Sequence, residues 1–108
     1  MEVLQTFINV VQENAFAQAH EELELTWRRW KNDPQKREES YILKGLINGA
    51  TALALIQLGR IDGYKRVWET YEKYRPLIDT IPSENTPLYQ EAKALLEFKH
   101  HTLKEKTL

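Results

Sequence analysis

The sequence predicts an all-α fold: a compact bundle of about five helices, with tetratricopeptide-like helical hairpins and a central apolar helix. Three observations carry this reading. Apolar residues recur at spacings of three and four along most of the chain, beginning with Leu4, Phe7, Ile8 and Val11. Turn-forming residues gather at a few places only, at Asn14, Asn32-Asp33-Pro34, Gly59 and residues 76–86, and so divide the pattern into segments of helical length. No run alternates with a period of two, so nothing reads as a strand or hairpin.

The first helix starts near Leu4 and fades around Glu13-Asn14. A second follows from about Phe16 to Trp30. At about 100° per residue, Phe16, Ala19, Leu23, Trp27 and Trp30 share its inner face, with Glu21, Glu22, Leu25 and Arg29 opposite. Asn32-Asp33-Pro34 stops this helix and opens the next, with Asp33 as N-cap and Pro34 at the first helical position. The third helix spans about Gln35 to Leu58 and closes at Gly59. From Ile42 onward it is apolar nearly all round, which makes it the central element, packed on several sides. Gly45 and Gly49 lie one turn apart on it. Each costs about 1 kcal/mol against alanine in a helix interior, so a neighbour is expected to pack closely there.

A fourth helix, about Asp62 to Arg75, buries Tyr64, Val67, Trp68 and Tyr71, and Pro76 ends it. Residues 77–86 read as a loop. Thr86-Pro87 opens a last helix with Leu88, Ala92, Leu95, Leu96 and Leu103 on one side, and Lys104-Glu105-Lys106 are expected to fray. The organisation expected is one domain over 1–108, with a core over 1–76, a loop over 77–86 and a C-terminal helix and tail over 87–108. Asn14 to Ala19 and Gly59 to Tyr64 form a weak internal repeat at two helix–turn–helix junctions. Both resemble the hairpin turn of tetratricopeptide repeats, but two hairpins are too few for a solenoid.

A chain of 108 residues suits a single domain that buries roughly 65% of its unfolded surface. Hydrophobic residues at 42% and charged residues at 29% are ordinary for a soluble protein. The net charge of −1 supplies no basic field for nucleic acid or an anionic membrane. There is no cysteine, which excludes disulfides, thiolate metal sites and cysteine nucleophiles, and fits a reducing cytosol. Met1 to Gln5 has neither a basic start nor an apolar run, so no secretory leader is expected. The window from Gly45 to Leu58 is broken by Asn48, Thr51 and Gln57 and is shorter than the ~20 residues a membrane span needs. A soluble cytoplasmic protein is therefore expected.

The residues that could carry chemistry centre on the second helix. His20 and Glu24 are four apart and share a face, with Trp27 on the next turn. Imidazole and carboxylate are common metal ligands, and Glu21 could serve as a base, but a zincin needs a second histidine where this chain has Glu24. The other reading is a structural network in which His20 and Glu24 fix helix packing through hydrogen bonds. Lys44, Asn48, Thr51 and Leu55 form one stripe, nearly the only polar one, on the central helix. A buried Lys44 would find its anion in Glu24; alternatively its stem carries the ammonium to water. Asn48 could bond His20. His100 and His101 are adjacent and cannot both face one site. Trp27-Arg28-Arg29-Trp30-Lys31 has the composition of a single-strand nucleic-acid surface, yet its tryptophans lie on the core-facing side. Gln35 to Glu39 reads as a solvated first turn and a half. Neither Ser40 nor Ser83 has a histidine nearby in sequence, and Gly59 and Gly63 belong to turns rather than to a phosphate loop.

Phe16, Ala19, His20, Glu21, Leu23, Glu24 and Trp27 match the hallmark of the small all-helical family catalogued as domain of unknown function number 309. Its second landmark resembles Leu43-Lys44-Gly45-Leu46-Ile47-Asn48-Gly49-Ala50. The likeness covers about Phe7 to Pro76. Gln18, Lys44 and Asn48 depart from the family pattern, Gln18 replacing a glutamate and Lys44 and Asn48 two glutamines; if those glutamines contact a shared ligand, the resemblance implies a different ligand or geometry here.

The function expected is a non-catalytic interaction or adaptor module with a His-Glu-Trp polar network, formed by His20, Glu21, Glu24, Trp27, Lys44 and Asn48. The alternative is a metal-dependent, hydrolase-like enzyme with His20 and Glu24 as ligands and Glu21 as base. No cofactor is expected. The partner expected is a protein or peptide, with Leu25 on the polar face pointing to a contact surface or homodimer, and with neither nucleic acid nor membrane.

Overall fold

Among the described residues the chain forms five long helices and one single-turn helix: α1 (Glu2–Gln12), α2 (Phe16–Lys31), α3 (Arg37–Gln57), α4 (Ile61–Tyr74), α5 (Leu77–Thr80) and α6 (Thr86–Thr107). The computed structural model describes residues 1–107. No strand occurs among the described residues, and none of their helices is long and apolar enough to cross a membrane.

The central position of α3 follows from its all-round apolarity. It packs against α2, α4, α5 and α6, while α1 bridges α2 and α6. Ile42, Leu43, Leu46, Ala50, Leu53 and Ile56 are buried from α3 alone. Each large apolar side chain of this kind contributes about 1.5–3 kcal/mol by leaving water. The two α3 glycines allow the close approach that their cost requires. A Cβ at Gly45 would lie 3.0 Å from the Tyr74 Cβ, and one at Gly49 would lie 3.0 Å from both Leu96 Cδ1 and Tyr71 Cδ1.

The two helical junctions singled out in the sequence share one geometry. Asn14 (φ 65°) and Gly59 (φ 74°) both take the left-handed conformation just past a helix end. Asn14 N–H bonds the Val11 carbonyl and Ala15 N–H the Val10 carbonyl; Gly59 N–H bonds Ile56 and Arg60 N–H bonds Leu55 in the same pattern. These are two Schellman closures, which satisfy carbonyls otherwise orphaned at the helix ends. The Gln57 side chain also donates to the Asn14 carbonyl at 3.1 Å, so the junctions touch.

Several expectations need correction. The third helix begins at Arg37, because Asp33–Lys36 closes as a turn with Pro34 at its second position and Asp33 Oδ1 accepting the Gln35 N–H. The Gln35–Glu39 segment is not wholly solvated: Glu39 is buried. Residues 77–86 contain α5, whose Ile78 is buried against the core. The last helix continues through Lys104, Glu105 and Lys106 to Thr107. Trp27 and Trp30 pack against the core but remain half-buried, at the edge of the α2–α3 contact.

Candidate functional site

Between α2 and α3 lies a groove made of two adjoining hollows that share Trp27 and Lys44. The larger, about 320 Å³ and open to solvent, is lined by Trp27, Lys31, Arg37, Ser40, Tyr41 and Lys44. The smaller, about 90 Å³, adds Glu24, Ile47 and Asn48. A short connection of residues 32–36 makes the two helices neighbours, and the half-buried edge of Trp27 forms a wall common to both hollows.

Cations and aromatic rings dominate the larger hollow. Lys31 Nζ sits 4.4 Å from the Trp27 ring centroid, and Lys44 Nζ 5.4 Å from that of Tyr74. Tyr41 stacks on Tyr74 with centroids 5.8 Å apart and planes 4° from parallel. Arg37 Nε donates to the Lys31 carbonyl at 3.2 Å, which fixes the guanidinium against the end of α2. Among the described residues, none of Lys31, Arg37 and Lys44 forms an ion pair with a carboxylate.

Glu24, Trp27, Lys44 and Asn48 line the smaller hollow together, but without the contacts considered for them from the sequence. Glu24 is taken up by its own helix: His20 Nε2 lies 3.6 Å from Oε1, and Arg28 Nη2 donates to Oε2 at 3.3 Å. No Glu24–Lys44 ion pair forms, because the Lys44 stem carries its ammonium towards α4 and Tyr74. Asn48 Nδ2 donates to the Lys44 carbonyl at 2.8 Å, one turn back on α3, rather than to His20. The buried His20 Nδ1 has no hydrogen-bond partner among the described residues, and Glu21 is exposed. Among the described residues no three histidine, aspartate or glutamate side chains are grouped to hold a metal ion, so His20 and Glu24 gain no third ligand.

Two polar clusters lie elsewhere, and sequence reading missed both. Glu39 accepts hydrogen bonds from the Tyr89 hydroxyl, from Ser83 Oγ at 2.7 Å and from Asn85 Nδ2 at 3.2 Å, with Lys36 Nζ 3.8 Å away. Burial alone would raise its carboxyl; the bonds from Tyr89, Ser83 and Asn85, with the Lys36 charge, outweigh that and hold it below its ordinary value. This cluster ties the start of α6 to α3. The second lies between α4 and α6, where His100 stacks on Trp68 at 3.8 Å and its Nε2 is 2.6 Å from the Tyr64 hydroxyl. Burial, with the Lys104 and His101 charges and against the pull of Glu97, pushes His100 down to about 4. Its neighbour His101 is exposed and pairs with Glu105. Neither cluster was legible locally: the hydrogen-bond donors to Glu39 lie 44 to 50 positions away, and Tyr64 lies 36 from His100.

Comparison with known families matches residues 4–67 to the one described as domain of unknown function (DUF309). That span includes every residue lining the α2–α3 groove. No curated protein and no solved structure matches the chain.

Proposed function

The chain belongs to the family described as domain of unknown function (DUF309), and from the groove it carries we propose that it is a non-catalytic interaction domain that receives a segment of a partner protein between α2 and α3. The observation that carries this reading is the pair of hollows joined through Trp27 and Lys44. Together they make an open, elongated depression rather than an enclosed pocket, and open depressions suit a length of chain better than a small molecule, most of whose surface must be buried. Trp27 offers a half-buried aromatic anchor, and Tyr41 is an exposed ring at the lip. Half-buried aromatic residues of this kind supply much of the energy at protein interfaces.

Photo-crosslinking tests this directly. A benzophenone side chain at Tyr41 should give a discrete adduct with a partner protein in cells, identified by mass spectrometry and lost on Lys44→Glu. The same group at Leu25, exposed on α2, serves as the control. Adduct formation only at Leu25, with a second copy of the chain or with anything else, would place the contact surface off the groove and overturn the proposal.

A further inference from the structure

We infer that the groove selects an acidic segment, with its carboxylates over Lys31, Arg37 and Lys44 and an apolar residue in the smaller hollow beside Trp27 and Ile47. This rests on the interaction reading above and names the chemistry of the partner. The lining of the larger hollow is of one sign: three cations and no carboxylate. None of those cations has an ion-pair partner among the described residues, although the chain as a whole carries 16 acidic residues against 15 basic ones.

Helix dipoles do not account for the cluster. Lys31 ends α2, where the dipole favours a cation, but Arg37 begins α3, where the dipole opposes one. Lys44 is two turns further on and gains nothing from either helix end. Three like charges, one of them set against a helix dipole and none with a counter-ion among the described residues, are complementary to an anion brought from outside. Arg37 is also prepared for one. With Nε held by the Lys31 carbonyl, the two terminal nitrogens remain to grip a carboxylate in the forked geometry that guanidinium favours.

The groove has a direction as well. At its other end Glu24 lines the smaller hollow beside Ile47 and Asn48, and a carboxylate there would repel an acidic side chain. From Glu24 to Lys31 is seven helical steps, about 10 Å at 1.5 Å per residue. That length accommodates three extended residues or two helical turns of a partner. A segment with an apolar residue at one end and two or three acidic residues at the other fits both hollows at once.

The test uses fluorescently labelled eight-residue peptides, two leucines followed by glutamates, with glutamine and lysine versions as comparisons, titrated with the full chain. The glutamate peptide should bind at least tenfold more tightly than the glutamine one, and the lysine one should not bind. Raising the salt from 50 to 300 mM should weaken the glutamate peptide several-fold. Arg37→Glu and Lys44→Glu should each cost tenfold or more, whereas Lys65→Glu, exposed on α4, should cost little. Lys44→Gln, a milder change, should give an intermediate loss, and melting curves should show all four variants folded. Equal binding of the glutamate and glutamine peptides, both lost on Trp27→Ala, would overturn the acidic preference while leaving the interaction groove. Indifference of every peptide to Trp27→Ala and to the charge variants would overturn both. Inorganic phosphate that saturates the site where the glutamate peptide fails would replace the acidic segment with a small anion.

Discussion

Glu39 and Tyr89, 50 positions apart, are joined by a buried hydrogen bond that pins the start of α6 to the outside of α3. Ser83 and Asn85 donate to the same carboxylate oxygen. The next residue along α3, Ser40, lines the groove. The clamp thus holds the helix that carries Arg37, Tyr41 and Lys44. In Glu39→Gln the amide oxygen can still accept from the three donors, but without the negative charge, and the amide nitrogen comes to face the Lys36 ammonium where Oε1 was. The expected loss is about 1–3 kcal/mol of stability, with faster hydrogen exchange at residues 83–89. Unchanged urea midpoints and exchange rates would contradict the clamp.

Stability should fall with acid in two separable steps. His100 titrates at about 4 in the folded chain against an ordinary 6.5, so between those values the unfolded chain holds more protons. Its contribution is complete above pH 6.5 and is lost as the pH falls towards 4, amounting to about 1–2 kcal/mol once solvent screening is allowed for. Glu39, held below its ordinary 4.5, adds a loss of the same sign that begins only below that pH. Melting temperatures from pH 8 to 3 should therefore decline in both windows. His100→Gln should flatten the upper one, and Glu39→Gln the lower one.

The paired junctions allow opposite substitutions. Gly59→Ala places a side chain at φ 74° and should cost about 1 kcal/mol, although nothing lies near the new methyl group. Asn14→Gly relieves a residue already at φ 65° and should stabilise by a few tenths of a kcal/mol. Denaturant midpoints moving together, in either direction, would contradict equivalent left-handed caps.

Gly45→Ala tests the close approach of α3 to α4. Helix propensity alone gives alanine an advantage of about 1 kcal/mol. The new Cβ, however, would sit 3.0 Å from the Cβ of Tyr74, which is close to backbone and has little freedom to move. A net loss of stability is expected, together with a shifted Tyr74 beneath Tyr41 and Lys44. A rise in melting temperature would mean that α4 retreats without penalty.

What the sequence made legible was periodic or local. Apolar spacing located five helices and identified α3 as central, the two α3 glycines announced tight packing, and Asn14 and Gly59 marked matching turns. The hallmark around His20 and the landmark around Lys44 led to the two helices that form the groove. Contacts between distant segments were not legible. Glu39 sits in a charged run, and its partners come from a proline-rich stretch far along the chain. For Lys44 the sequence leaves two alternatives open, a pairing with Glu24 or a stem that carries the ammonium outward, and Glu24 finds its partners one turn away on its own helix. The preference for short-range pairing decided that contact, and it left Lys44 with Lys31 and Arg37 on the groove.

The most direct measurement is backbone amide chemical-shift mapping of the isotope-labelled chain during titration with the leucine–glutamate peptide. A binding site in the α2–α3 groove gives saturable shifts at Trp27, Lys31, Arg37, Tyr41 and Lys44, including the Trp27 indole N–H, and leaves α4 residues such as Lys65 in place. Shifts confined to the α4–α6 face, or scattered without saturation, would contradict a functional groove between α2 and α3.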